Sequence, residues 1–383
     1  MMHKIQEVFH QGYPGYLDKY GMNYESNKVA KAIMACKTPA FGGNQTICQD
    51  CGKTHLHYNS CRNRHCPCCQ GLKKEKWIDA QKADVIDAPY FHAVFTVPEE
   101  LNPLIYANKS ALYNLLYSAS SETLMDLARD NKFLGADIGF ISILHTWGSN
   151  LSFHPHIHAI VLGGGLSEAG RFLTAGKKFL FPIKVVSKLF RGKFLDGLKK
   201  LSLKKTLSFP GDLSILQFPR EFNQFLTKLY STEWIPYLKE PFECADHVIE
   251  YLGRYTHRIA ISNSRILEVG ESSVAFQVKD YKTATKKTLT LRHEEFIRRF
   301  LMHVLPKGFV KIRHYGLLSN RTKGKKLKLI RILIKGKIMK PVLKDLTGVE
   351  ILKRLYGIDT NCCRHCGSSN IRRQSLASIK KIE

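Results

Sequence analysis

Apolar and polar positions alternate, or run together, most clearly in the middle of the chain. There "YFHAVFTVP" (90–98) predicts a strand ended by Pro98. "GFISILHTW" (139–147) and "HIHAIVLGG" (156–164) predict two more strands. Roughly residues 102–130 carry Leu, Tyr and Met at helical spacing, and the polar stretch 72–89 also reads as helical. "KFLFPIK" (178–184) is a short strand candidate, followed by a basic amphipathic helix over 185–203. A helix over 245–258 leads into strands over 259–269, 273–281 and 287–292. Residues 293–306 read as a helix stopped by Pro306. The pattern divides the chain into a Cys-rich head (1–85), a mixed α+β middle (86–305) and a basic C-terminal region (306–383).

Composition adds a partner. A 383-residue chain with 44% hydrophobic residues can bury a substantial core. Its 59 Lys and Arg against 32 Asp and Glu give a formal charge of +27, which points to a polyanion, nucleic acid before anionic membrane. No apolar run approaches the roughly 20 residues of a spanning helix, and the start lacks an apolar signal core. A reducing cytoplasmic setting is therefore expected, with nucleoid association through DNA.

In that setting closely spaced thiols are read as metal ligands. Seven of the 11 cysteines fall within residues 36–69. Cys48-x2-Cys51 and Cys66-x2-Cys69 together supply the four soft ligands of a tetrahedral Zn2+. Cys36, Cys61 and His65 remain for a second zinc, and Cys68 looks spare. A late "CCRHCG" offers one more pair, Cys363 and Cys366, with metal absent there or completed from elsewhere in the fold. "CGKT" (51–54) is no phosphate loop, because the position of its leading Gly is held by Ile47.

Within "HPHIHAIVLGGG", His154, His156 and His158 alternate, so one strand face would present three imidazoles. Two of them can grip one divalent ion, with a third ligand from His154 or elsewhere; such an ion could polarise a phosphate. In "EYLGRYTHR", Tyr251 and Tyr255 stand one helical turn apart, a spacing that by itself suits packing equally well. Near a metal-bound phosphate, however, a tyrosyl oxygen is a plausible nucleophile. Arg254 and Arg258 flank the pair and could hold DNA phosphates.

These phrases carry a family resemblance. "YNSCRNRHCPCCQ", "HAVFTVPEEL", "HPHIHAIVLGGG", "YLGRYTHRIAISNSRI" and "IRHYGLLSNR" resemble the rolling-circle transposases of the insertion-sequence-91 type, members of the His-hydrophobic-His endonuclease superfamily. The resemblance implies an α+β fold: an antiparallel-sheet nuclease domain with helices on one face, a zinc-ribbon-like N-terminal domain and a basic C-terminal region. It implies that His156 and His158 bind Mg2+ or Mn2+ and that Tyr251 and Tyr255 are the catalytic tyrosines of a two-tyrosine enzyme. The implied reaction cuts one DNA strand at a mobile element's end, leaving a 5′-phosphotyrosine and a 3′-hydroxyl, before the ends are rejoined to target DNA. Arg62, Arg64, Lys73 and Lys74 in the head are expected to serve end recognition or protein contact.

Three rivals share part of this pattern. A replication initiator or relaxase uses the same nicking chemistry without the Cys-rich phrase. A tyrosine recombinase works without metal. A non-enzymatic zinc DNA-binding protein would bind without forming a covalent adduct.

Overall fold

The computed structural model describes residues 3–176, 180–242, 247–248, 253, 260–279, 283, 285–336 and 340–379. In α1 (Lys4–Tyr20), Ile5, Val8, Phe9, Tyr13 and Tyr16 form a buried stripe at helical spacing. Asn23 caps α2 (Tyr24–Ala35) by accepting from the Ser26 amide, which offsets one unpaired donor of the first turn. A hairpin, β1 (Gly43–Cys48) and β2 (Thr54–Tyr58), precedes α3 (Gly71–Asp84).

The central sheet then begins with β3 (Tyr90–Thr96). Helices α4 (Asn102–Ala107) and α5 (Lys109–Arg129) follow, then β4 (Asp137–Trp147), β5 (Phe153–Leu166) and the short β6 (Phe172–Thr174). After α6 (Ile183–Leu203) and α7 (Pro219–Ser231), β7 (Tyr237–Phe242) returns to the sheet. A three-stranded antiparallel sheet, β8 (Ile266–Val269), β9 (Ser273–Lys279) and β10 (Lys286–Arg292), comes next, followed by α8 (His293–Met302). The described chain closes with β11 (Ile312–Gly316), α9 (Lys323–Leu333), α10 (Gly348–Tyr356) and β12 (Ile371–Leu376).

The central sheet runs β11-β4-β5-β3-β7, with β6 also paired to β5, and every pairing is antiparallel. Its innermost strand, β5, is covered on both faces, which is why "HAIVLGGG" is almost continuously apolar. Ile157, Ala159 and Val161 face the main core beneath α5 and α6. Ile160 and Leu162 face the opposite side, with Tyr90 of β3, Ile141 and Ile143 of β4, and Leu327 and Ile330 of α9. Helices therefore lie on both faces, and not on one face as the family resemblance implies. Lys323 at the start of α9 fixes this second layer by pairing with Asp84 at 2.5 Å.

Two further strand expectations change. Of the 178–184 candidate, residues 178 and 179 lie outside the described residues; Leu180 and Phe181 are buried but form no strand, and Pro182 takes the N-cap position of α6. Among the described residues 260–269, pairing starts at Ile266, after a 3-10 turn over Asn263–Arg265. The ends of the sequence also come together. Helix α1 packs into a core with α8 and the β8–β10 sheet, and β12 adds to β1 in the order β12-β1-β2.

Candidate metal centres

On the second face of the central sheet the side chains change from apolar to imidazole along the strands. Ile160 and Leu162 give way to His158 and His156 on β5, Ile143 to His145 on β4, and Tyr90 to His92 on β3. Antiparallel pairing sets His145 opposite His156, and Ile143 and Val94 on either side of His158. One ring nitrogen from each of His145, His156 and His158 falls within 4.8 Å of the others. The Nε2 atoms of His156 and His158 are 3.1 Å apart. Ligand nitrogens about 2.1 Å from one ion would be separated by about 3.0–3.4 Å in octahedral or tetrahedral arrangements, so the spacing fits a shared metal.

The other ring nitrogens are held from behind. His156 Nδ1 lies 2.6 Å from the His154 carbonyl, so an Nδ1–H donates there and leaves the Nε2 lone pair forward. His158 Nδ1 meets His92 Nε2 at 2.8 Å, and the two rings stack 5° from parallel. Burial first, then the nearby Lys239 and His156, pushes His92 down to about 3, so it stays neutral. Such outer partners orient a metal-binding imidazole.

Thus the structure brings His145, and not His154, to the pair. A register shift between His145 and Trp147 sets one β4 residue against two of β5, and His154 lies in that bulge. Its carbonyl accepts from His156 Nδ1, and its ring lies 5.0 Å from the His156 ring without joining the three converging nitrogens. Neither His145 nor His92 stood out in the sequence, because each is a single histidine in an apolar strand. Their odd and even positions on strands flanking β5 were the available signal.

The cysteines form two separate four-thiol groups: Cys36, Cys61, Cys66 and Cys69; and Cys48, Cys51, Cys363 and Cys366. Sulfur separations are 3.7 Å for Cys61–Cys69, and 3.6 Å for both Cys48–Cys366 and Cys51–Cys363. A tetrahedron with Zn–S bonds of about 2.3 Å has edges of about 3.8 Å, so both sets fit zinc. Amides aim at the sulfurs as well: Cys61 N–H at Cys36, Asn63 N–H at Cys61, and His365 N–H at Cys363. The amides of Cys366 and His365 bring the Cys363 thiol down to about 6, favouring the thiolate a metal needs.

The two CxxC pairs of the head therefore do not share an ion. Cys66 and Cys69 are gathered onto the end of α2, where Cys36 is fully buried, whereas the β1–β2 hairpin presents Cys48 and Cys51 to the segment before β12. His65 joins neither set. Its Nε2 accepts the Leu305 amide at 3.4 Å, and burial pushes it to about 3. Cys68 is outside both groups and accepts from Asn263 at 3.5 Å.

Of the head cations, Arg62 and Lys73 are exposed, Lys74 is half-buried, and Arg64 donates to the Phe309 carbonyl at 2.6 Å. Tyr251, Tyr255, Arg254 and Arg258 lie outside the described residues. Two neighbours of that segment are described. Val248 is buried in the apolar cluster on the histidine side of the sheet, and a Cβ at the buried Gly253 would come within 2.8 Å of Ile78 on α3.

Comparison with known proteins places this geometry in context. Residues 139–326 match the family described as "Putative transposase", and residues 8–97 match the "Transposase zinc-binding domain". The chain is 41% identical over 334 residues to "Putative transposase y4qJ" of Sinorhizobium fredii, covering 86% of this chain and 84% of that one. It is 26% identical over 366 residues to "Transposase for insertion sequence element IS801" of Pseudomonas savastanoi pv. phaseolicola, covering 95% and 87%. No solved structure matches. Among the described residues no helix is long and apolar enough to cross a membrane.

Proposed function

Because the chain belongs to the insertion-sequence-91 family of transposases, we propose that it nicks and rejoins single-stranded DNA at the ends of a mobile element. The sheet bearing His145, His156 and His158 serves as a His-hydrophobic-His nuclease platform, and Tyr251 and Tyr255 supply the nucleophiles. The observation that carries the reading is the convergence of three imidazoles on a sheet face that also buries Val248, three residues before Tyr251.

An all-imidazole donor set suits Mn2+ or Zn2+ better than Mg2+, which favours oxygen ligands. When bound, such an ion polarises and orients a phosphate. The chain's own residues do the rest. A phenol oxygen attacks phosphorus, forming an O–P bond as the P–O3′ bond breaks; the phenol proton is released and the departing 3′ oxygen takes one up. One phosphodiester linkage replaces another, so no nucleotide hydrolysis is needed. The second tyrosine can repeat the exchange on target DNA. Arg254 and Arg258 hold flanking phosphates, and Arg62, Lys73 and Lys74 on the zinc-binding head contribute to end recognition.

The test is cleavage of a labelled single strand carrying the element's terminus. Cleavage should require Mn2+ or Mg2+, stop with EDTA, and be lost in His156→Ala and His158→Ala. Cleavage that persists in EDTA would indicate recombinase-like, metal-free chemistry. Binding without any cleavage would reduce the protein to a zinc-dependent DNA-binding factor.

A further inference from the structure

A cavity of about 320 Å³ lies between the zinc-binding head, strands β4 and β11, and the end of α8. Trp77 and Trp147 contribute to its wall, and Arg64, Lys73 and Lys311 supply positive charge. Among the described lining residues there is no carboxylate. His65 also lines the wall; its Nε2 accepts the Leu305 amide, so Nδ1 is left to donate a hydrogen bond. The size is at the small end of ligand pockets, with room for one flat heterocycle.

This cavity adjoins the histidine cluster through Trp147. The Trp147 ring stacks on His145 at 5.0 Å and 22°, and Lys311 sits 4.9 Å from the same indole. Aromatic walls with surrounding cations and no opposing acid match the two halves of a nucleotide, a π-faced base and a phosphate.

We propose that this cavity receives one unstacked base of the bound single strand, adjacent to the phosphate presented to the histidines. The inference rests on the single-strand reading above and adds a subsite to it. Seating a base there would position the strand relative to His145. Trp147, which touches both the cavity and that imidazole, acts as a positioning residue.

The protein provides its own reporter. Of its three tryptophans, Trp77 and Trp147 line the cavity while Trp234 is only 2% exposed in the main core. A terminal oligonucleotide should quench tryptophan emission on binding. An abasic site moved through that oligonucleotide should weaken binding at one position by roughly five- to a hundredfold and abolish the quench there. Trp77→Ala should flatten this position dependence. Trp77→Phe should retain it with a smaller quench, and unchanged zinc content would show that both variants fold.

A flat abasic profile in the wild type, or an unchanged profile in Trp77→Ala, overturns the proposal. Covalent adduct formation by the same wild-type protein is scored in parallel. A flat profile with adduct present rejects the subsite alone; a peaked profile without adduct rejects the nicking reading and leaves a base-binding site.

Discussion

Replacing Cys363 and Cys366 with Ser should release β12 from the head while leaving the rest of the fold in place. The reason is how little side-chain burial holds that strand, beyond the exposed Asp50 contacts to Ser368 and Asn370 just before it. Only Ile371 and Leu376 of β12 are partly buried, and the four residues between them are exposed. Half-burying two aliphatic side chains contributes about 2–3 kcal/mol. The ladder of six residue pairs from Gly43–Leu376 to Cys48–Ile371 adds about 6 kcal/mol at about 1 kcal/mol per hydrogen bond. Fixing six backbone residues costs about 6–12 kcal/mol, so these terms cancel to within a few kcal/mol. A four-thiolate zinc site, worth on the order of 10 kcal/mol, decides the balance. Hydrogen exchange followed by mass spectrometry should show protection lost over residues 371–376 in the double variant, and zinc content should fall by one ion per chain. Full protection of 371–376 in a protein lacking that zinc would refute the reasoning.

Other outcomes follow from individual side chains. His145→Ala should lower metal-dependent cleavage by about a hundredfold or more, while His154→Ala should cost far less because its carbonyl is retained; equal losses would restore His154 as a ligand. His303 is buried between the Thr146 hydroxyl (3.2 Å) and the Leu151 carbonyl (3.2 Å), and burial pushes it to about 3. Its unfolded-state pKa is higher, near 6.5, so the unfolded chain takes up the proton first and stability is lost as pH falls from 6.5 towards 3. The share lost between pH 6.5 and 5 is about 1.6 kcal/mol, and His303→Gln should flatten that limb of a melting-temperature profile; parallel profiles would count against it. Gly316 has φ +57°, and an added Cβ would lie 1.9 Å from the Ile138 carbonyl oxygen. Gly316→Ala should therefore cost about 2 kcal/mol or more in urea unfolding by prying β11 from β4, whereas a cost under about 0.5 kcal/mol would contradict that packing.

What the sequence displays depends on how local the cause is. Strands β3, β4 and β5 and helices α5 and α6 each carry their own apolar period, and were legible for that reason. Helix α1 was not, because its buried stripe mixes Tyr and Gly with aliphatics and is covered by α8, nearly three hundred positions along the chain. Strands β2 and β12 bury almost nothing, so they have no period to read; neighbouring backbone and thiols hold them. The head cysteines were recognisable as ligands from their spacing. Their grouping was not, since Cys48 meets Cys366 across 318 positions. His156 and His158 were evident on one strand, but His145 became a partner only through antiparallel register, and the bulge that diverts His154 has no local mark.

The account turns on a tyrosine oxygen meeting a phosphate at the histidine face. The direct measurement is to incubate the protein with the element's labelled single-stranded terminus and Mn2+, digest it, and map any DNA-linked peptide by mass spectrometry. A nucleotide attached to Tyr251 or Tyr255, lost in His158→Ala, is the predicted result. Cleavage with no protein-linked nucleotide, or linkage to any other residue, would contradict it.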